Sequence, residues 1–93
     1  MLKSKWRLGY NAAVSSVWVG RICFRIYPED HEPRHVHGEF AGIVAIVNLR
    51  SNRTVELRAV NPANAKRTDV KKILKVASEY FDQLVAEWEK MHP

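Results

Sequence analysis

The stretch VWVGRICFRIY, residues 17–27, decides the fold class of this 93-residue chain. Within it, Ile22, Phe24 and Ile26 alternate with polar or small residues, and a period of two is typical of a strand with one buried face. Pro28 ends the strand because proline has no N–H to donate to a neighbouring strand. The stretch therefore predicts a strand at the start of a sheet.

Further strand patterns follow along the chain. Residues 35–40 and 42–49 predict two extended segments, the second rich in β-branched side chains, and residues 54–60 alternate between apolar and charged side chains. Turn-forming residues separate these segments. We therefore expect three or four antiparallel strands between about residues 17 and 60.

The last third of the chain carries a helical pattern. Its apolar residues recur at three- and four-residue steps and form one stripe: Val70, Ile73, Leu74, Ala77, Phe81, Leu84, Val85, Trp88 and Met91. Thr68 is the expected N-cap, with Asn64 as the alternative one turn earlier. About 23 residues at ~1.5 Å each give a single helix of roughly 34 Å. The sequence predicts an α+β fold, a three- to four-stranded antiparallel sheet packed by one long C-terminal helix.

Length and composition limit the class of protein. We expect residues 1–16 to be an N-terminal lead-in and residues 17–93 to form a single α+β domain, with a homodimer as one way to enlarge its thin core. No apolar run approaches the ~20 residues that cross a bilayer, and no signal-peptide core is present. The lone Cys23 cannot form an internal disulfide. These features predict a cytoplasmic protein without a membrane segment.

The chemically densest stretch is PEDHEPRHVH, residues 28–37. If His35 and His37 lie in a strand, the period of two points both rings to one face. Asp30 and His31 lie in the preceding turn, which two prolines stiffen, so that His31 can fold back over the other two rings.

Three interpretations of this group stay open. It is a ligand set that zinc or another divalent metal accepts, or a general acid–base site in which Asp30, His31, His35 and His37 are catalytic, or a hydrogen-bonded turn that shapes a binding surface. Because the histidines lie in one short window without a distant cysteine, we expect no tightly held zinc and no cofactor.

The net charge of +5 favours polyanions or an acidic partner. The candidate binding cations are Arg21, Arg25, Arg34, Lys66, Arg67, Lys71, Lys72 and Lys75. Those at the helix start oppose the helix dipole, at about 0.3–1 kcal/mol each, which suggests a use such as holding phosphates. The alternative is that Lys75 pairs with Glu79 and the others are solvated. Trp6, Trp18 and Tyr27 can stack on bases, although they are scattered along the chain.

Residues 30–37 closely resemble the box Asp-His-x-Pro-Pro-His-x-His of a widespread family of small prokaryotic proteins of unknown function. The flanking strands and a closing helix with a late tryptophan are also similar, so some three-quarters of the chain is covered. Arg34 departs from the box, since the family has a second proline there. By match to the box, the residues carried over are Asp30, His31, Pro33, His35 and His37. Members are often encoded beside another small protein, similar to toxin–antitoxin pairs, and the resemblance implies that association here.

Two main classes of function follow from these patterns. We favour a binding component of a toxin–antitoxin-like two-protein module that engages a small acidic partner protein or RNA, because no complete catalytic constellation is visible. The second class is a metal-independent ribonuclease that uses the box histidines as acid and base, with Arg21, Arg25 or Arg34 on the phosphate. A metal-binding protein is the third alternative.

Overall fold

A computed structural model describes residues 14–93 of the chain. Most of the expected lead-in, including Trp6, lies outside the described residues. Five strands precede two helices: β1 Ser15–Val19, β2 Ile22–Ile26, β3 His35–Phe40, β4 Ile43–Leu49, β5 Val55–Asn61, α1 Arg67–Glu79 and α2 Phe81–Met91. The α+β class is confirmed, whereas the expected strand number and the single long helix are wrong.

The stretch that predicted one strand forms a hairpin. β1 and β2 pair antiparallel with Val19 opposite Ile22, so the loop between them consists of Gly20 and Arg21. Gly20 has a φ of 58°, a left-handed conformation that glycine adopts without strain. The buried positions keep a period of two on each side of this loop, but their phase shifts by one residue, from Val17 before it to Ile22, Phe24 and Ile26 after it.

The five strands form one antiparallel meander in the order β1-β2-β3-β4-β5. One face of the sheet is apolar, and its buried residues include Ile22, Phe24, Ile26, Val36, Ala45, Val47 and Leu49. The helices pack on this face. A Cβ atom added to Gly38 would lie 2.6 Å from Cγ2 of Ile73, so α1 crosses β3 in close contact at this glycine.

The predicted apolar stripe is confirmed, with Val70, Ile73, Ala77, Phe81, Leu84 and Trp88 buried. The helix is nevertheless interrupted at Tyr80, whose φ of −106° and ψ of 24° are not helical. α1 contacts β3, β4 and β5, and α2 contacts β1, β2 and β3. The two helices on either side of Tyr80 thus cover different strands and together span the whole sheet.

The start of α1 differs from the expected caps. The helix begins at Arg67, and Lys66 occupies the N-cap without a side-chain hydrogen bond. The expected N-caps, Thr68 and Asn64, are therefore wrong. Neither described helix is both long and apolar enough to span a bilayer.

The contact at Gly38 gives a stability prediction. Gly38→Ala should lower the free energy of unfolding by about 1–3 kcal/mol, because the added methyl group overpacks the core against Ile73. Chemical denaturation measures this loss. The double variant with Ile73→Leu, which removes the Cγ2 methyl, should recover part of it, and an unchanged stability of Gly38→Ala would contradict the close contact.

A hydrogen bond ties α2 to the first strand. Ser15 Oγ donates to Glu87 Oε1 at 2.7 Å, and Lys90 Nζ donates to Glu87 Oε2 at 3.0 Å. Both hydrogen bonds lower the pKa of Glu87 below its ordinary value, and the bond from Ser15 has the larger effect. A carboxyl group whose pKa is lowered by folding stabilises the fold above its unfolded pKa of about 4.3. That contribution is lost as the pH falls through the lower folded value.

Ser15→Ala should therefore act in a pH-dependent way. The variant should be less stable than the natural chain at pH 7, and the difference should shrink as the pH falls below the folded pKa of Glu87. Denaturation at pH 7 and at pH 3, with an NMR titration of the Glu87 side chain, measures both effects. An equal difference at the two pH values would show that the bond does not act through the ionised carboxylate.

Candidate functional site

The connection between β2 and β3 brings Asp30 against the start of β3. Asp30 Oδ2 lies 3.1 Å from His35 Nε2 and 3.0 Å from His37 Nε2. The centroids of the two imidazole rings are 5.4 Å apart, in agreement with the prediction that the strand period brings them together. We name Asp30, His35 and His37 the carboxylate–histidine cluster.

His31 does not join the cluster. The ligand-type atoms that converge belong to Asp30, His35 and His37, and His31 is exposed. The backbone N–H of Asp30 donates to Tyr27 O at 3.2 Å, a turn that directs the Asp30 carboxylate toward the strand. The expectation that His31 folds back over the other two rings is therefore not met.

The far side of the His35 ring meets a carbonyl and an arginine. His35 Nδ1 lies 2.9 Å from Pro33 O and 3.2 Å from Arg58 Nη2. Arg58 also donates to Pro33 O at 3.1 Å and to Asn48 Oδ1 at 2.9 Å. His35 is thereby fixed in place by contacts on both ring nitrogens.

Arg58 is a site residue that the sequence analysis missed. β4 and β5 change register between Ile46 and Val47, whose partners are Ala59 and Leu57, so Arg58 has no partner across the ladder. Such a bulge re-aims a side chain near a site. An alternating pattern of apolar and polar residues does not reveal such a bulge, so the sequence does not indicate the role of Arg58.

Aromatic rings enclose the cluster. Tyr27 meets His37 edge-on with ring centroids 4.9 Å apart, and Trp88 lies 5.4 Å from His35. The ring of His92 stacks on Trp88 at 3.6 Å. His35 is 5% exposed, whereas the side chains of His37 and Asp30 are 20% and 21% exposed. Solvent therefore reaches the cluster from the side of His37 and Asp30.

Two of the predicted binding arginines are engaged within the fold. Arg25 Nε donates to Glu39 Oε2 at 2.8 Å, and this hydrogen bond raises the pKa of Arg25 above its ordinary value. Arg34 Nε donates to Leu49 O at 2.8 Å. Both side chains have structural partners and are less free to bind phosphate than the sequence suggested.

Of the other six predicted cations, Arg21 lies in the loop between β1 and β2 and five lie on or next to α1. We name Lys66, Arg67, Lys71, Lys72 and Lys75 the lysine face; all five residues are exposed. No carboxylate within residues 14–93 forms an ion pair with them, so the alternative Lys75–Glu79 pair is not formed. Lys72 Nζ lies 4.9 Å from the centre of the Phe40 ring. Since Phe40 ends the strand that His35 begins, roughly 17 Å of strand separates this contact from the carboxylate–histidine cluster.

A surface groove of about 370 Å³ lies at the Phe40 end of the sheet. Phe40, Trp18 and Arg21 are among the residues that line it. Trp18 is 64% exposed. Phe40 therefore both lines the groove and contacts the lysine face. Trp18, next to the buried Val17 in β1, points to the sheet face away from the helices.

Residues 21–89 match the family described as Domain of unknown function (DUF4160). The chain belongs to this family. The DUF4160 match runs from the β1–β2 turn into α2 and includes both the carboxylate–histidine cluster and the lysine face. It agrees with the resemblance to a family of small uncharacterised proteins. Comparison with curated proteins and with solved structures gives no match.

Trp88 forms a wall of the cluster and part of the core of this DUF4160 chain. Trp88→Ala should lower the free energy of unfolding by about 3–5 kcal/mol, as expected for deletion of a large buried aromatic side chain. Chemical denaturation measures the loss. Tyr80→Ala removes an aromatic ring that is 39% exposed and is the matched control, so it should lower the free energy of unfolding far less. A loss below about 1 kcal/mol for Trp88→Ala would contradict the burial of Trp88.

Proposed function

We propose that this chain is the RNA-binding component of a toxin–antitoxin-like two-protein module in the cytoplasm. The lysine face carries the proposal: its five cations have no carboxylate partner among the described residues, although Arg25, Arg50, Arg53 and Lys90 are all ion-paired. Unpaired positive charge at a helix start opposes the helix dipole. A bound polyanion relieves this repulsion.

The exposed indole favours RNA over an acidic protein as the ligand. Single-stranded nucleic acids bind where a basic surface tracks the phosphates and aromatic rings stack on the bases. Trp18 supplies the ring and Arg21 lines the same groove, which reaches the lysine face through Phe40. An acidic partner protein would use the lysine face and leave Trp18 without a role. The two-protein context comes from the family resemblance of the box.

The ribonuclease alternative has less geometric support. An acid–base pair needs ring nitrogens that reach the substrate. Both nitrogens of His35 contact groups of the chain itself, and His35 is 5% exposed. His37 Nε2 faces Asp30, which leaves His37 Nδ1 as the ring nitrogen of the pair without a hydrogen bond among residues 14–93. We therefore propose binding without cleavage.

The lysine face predicts salt-dependent binding. The affinity of the full chain for a fluorescein-labelled single-stranded RNA should fall steeply with salt, with a log–log slope near −0.7 for each phosphate neutralised. The double variant Lys71→Ala, Lys72→Ala should reduce the size of this slope by up to about 1.4. Fluorescence anisotropy across a salt series measures the slope, and a gel of the same RNA reports cleavage.

Two further variants make the test specific. Trp18→Ala should weaken binding by about 1–3 kcal/mol, the range for one stacked base, without changing the salt slope. Lys90→Ala removes a lysine that is ion-paired to Glu87 and should leave both affinity and slope nearly unchanged. An affinity for RNA that changes neither with salt nor with the lysine substitutions would refute the proposal. Salt-dependent binding whose affinity is unchanged in Trp18→Ala would favour an acidic protein as the ligand of the lysine face. RNA cleavage that is abolished by His37→Ala would support the ribonuclease alternative.

A further inference from the structure

We infer that Asp30, His35 and His37 form a binding site for a divalent transition-metal ion such as Zn²⁺. Their three ligand atoms lie within 4.8 Å of one another. Two imidazoles and one carboxylate are the protein ligands of known zinc and iron sites, in which the open positions take water or substrate. The inference departs from the sequence-based expectation of no tightly held zinc. That expectation rested on the lack of distant ligand pairs, whereas here a turn and a strand supply the ligands together.

The far side of His35 is held by contacts that leave its near side toward Asp30. His35 Nδ1 lies 2.9 Å from the carbonyl oxygen of Pro33 and 3.2 Å from Arg58 Nη2. When Nδ1 donates to Pro33 O, Nε2 presents a lone pair on the side of Asp30 Oδ2, which is 3.1 Å away. A metal ion would bind this tautomer through Nε2. A histidine whose far N–H is held by a backbone carbonyl is the usual arrangement of a metal ligand.

The ligand spacing suits a small ion. Two ligands about 2.1 Å from one ion, at angles of ~90–110°, are roughly 3.0–3.4 Å apart. The two distances from Asp30 Oδ2 to Nε2 are 3.0 and 3.1 Å. Rotation of His37 can bring its Nε2 to the same spacing from His35, because that ring is partly exposed. His35 stays fixed against Pro33 and Trp88, so one side of the site is preorganised and the other closes on the ion.

Titration with metal tests the inference. The full chain, stripped with a chelator, should bind one Zn²⁺ in isothermal titration calorimetry, and binding should raise its melting temperature. Asp30→Asn and His37→Gln each remove one ligand while keeping a similar shape. Each should weaken Zn²⁺ binding by at least about 100-fold, because even loss of a residue that only supports a ligand costs 10–100-fold.

The same box offers a matched control. His31→Gln removes an exposed histidine outside the cluster and should bind Zn²⁺ like the natural chain. An NMR titration of the natural chain decides the matter even if a variant does not fold: Zn²⁺ should shift the ring ¹⁵N signals of His35 and His37 and leave that of His31. No stoichiometric binding, shifts confined to His31, or unchanged binding in both ligand variants would overturn the inference.

Discussion

The close contact between α1 and β3 at Gly38 is the constraint on which the rest of the structure depends. Ile73 lies where a side chain on residue 38 would stand, so any larger residue there would push the helix away from the sheet. The contact fixes how α1 runs along β3. Phe81 at the start of α2 consequently lies near Arg34, with 5.8 Å from the guanidinium carbon to the ring centre, and Trp88 is placed beside His35.

Much of the fold could be predicted from the sequence, because burial imposes a period on it. The alternation of Ile22, Phe24 and Ile26 and the stripe of the helices both reflect sides of elements that are buried in the structure. Two boundaries were missed. At Gly20 the period of two resumes after the turn with its phase shifted by one residue, from Val17 to Ile22. At Tyr80 the three- and four-residue steps run through the break, which is set by backbone geometry and by the width of the sheet and is not recorded in a local pattern.

The candidate site was predictable to the extent that it follows one strand. The pairing of His35 with His37 needs nothing more than the strand period. The choice of Asp30 over His31 depends on how the turn is closed, and the approach of Arg58 depends on a bulge two strands away. Trp88 lies beside His35 because the second helix begins after the interruption at Tyr80. Each of these three features joins parts of the chain that no short window contains.

The fold keeps its two candidate surfaces apart. The carboxylate–histidine cluster lies at one end of β3, and the contact between Lys72 and Phe40 lies at the other. The Arg58 side chain near the cluster is held by Asn48 and Pro33, while the lysine face has no such partners among residues 14–93. An ion at the cluster and a polyanion at the lysine face would therefore bind near opposite ends of β3 without sharing a ligand residue.

The order of the strands has a consequence for how the molecule forms. Because every strand pairs with its neighbour in sequence, the sheet can assemble from consecutive hairpins that close short loops, and loop closure of this kind costs little entropy. Topologies dominated by such local contacts fold quickly. Docking of α1 on Gly38 joins residues far apart in the chain and closes a much larger loop. The position of Trp88 beside the carboxylate–histidine cluster therefore depends on the contact with the higher entropic cost, whereas the strand that carries the histidines depends on local pairing.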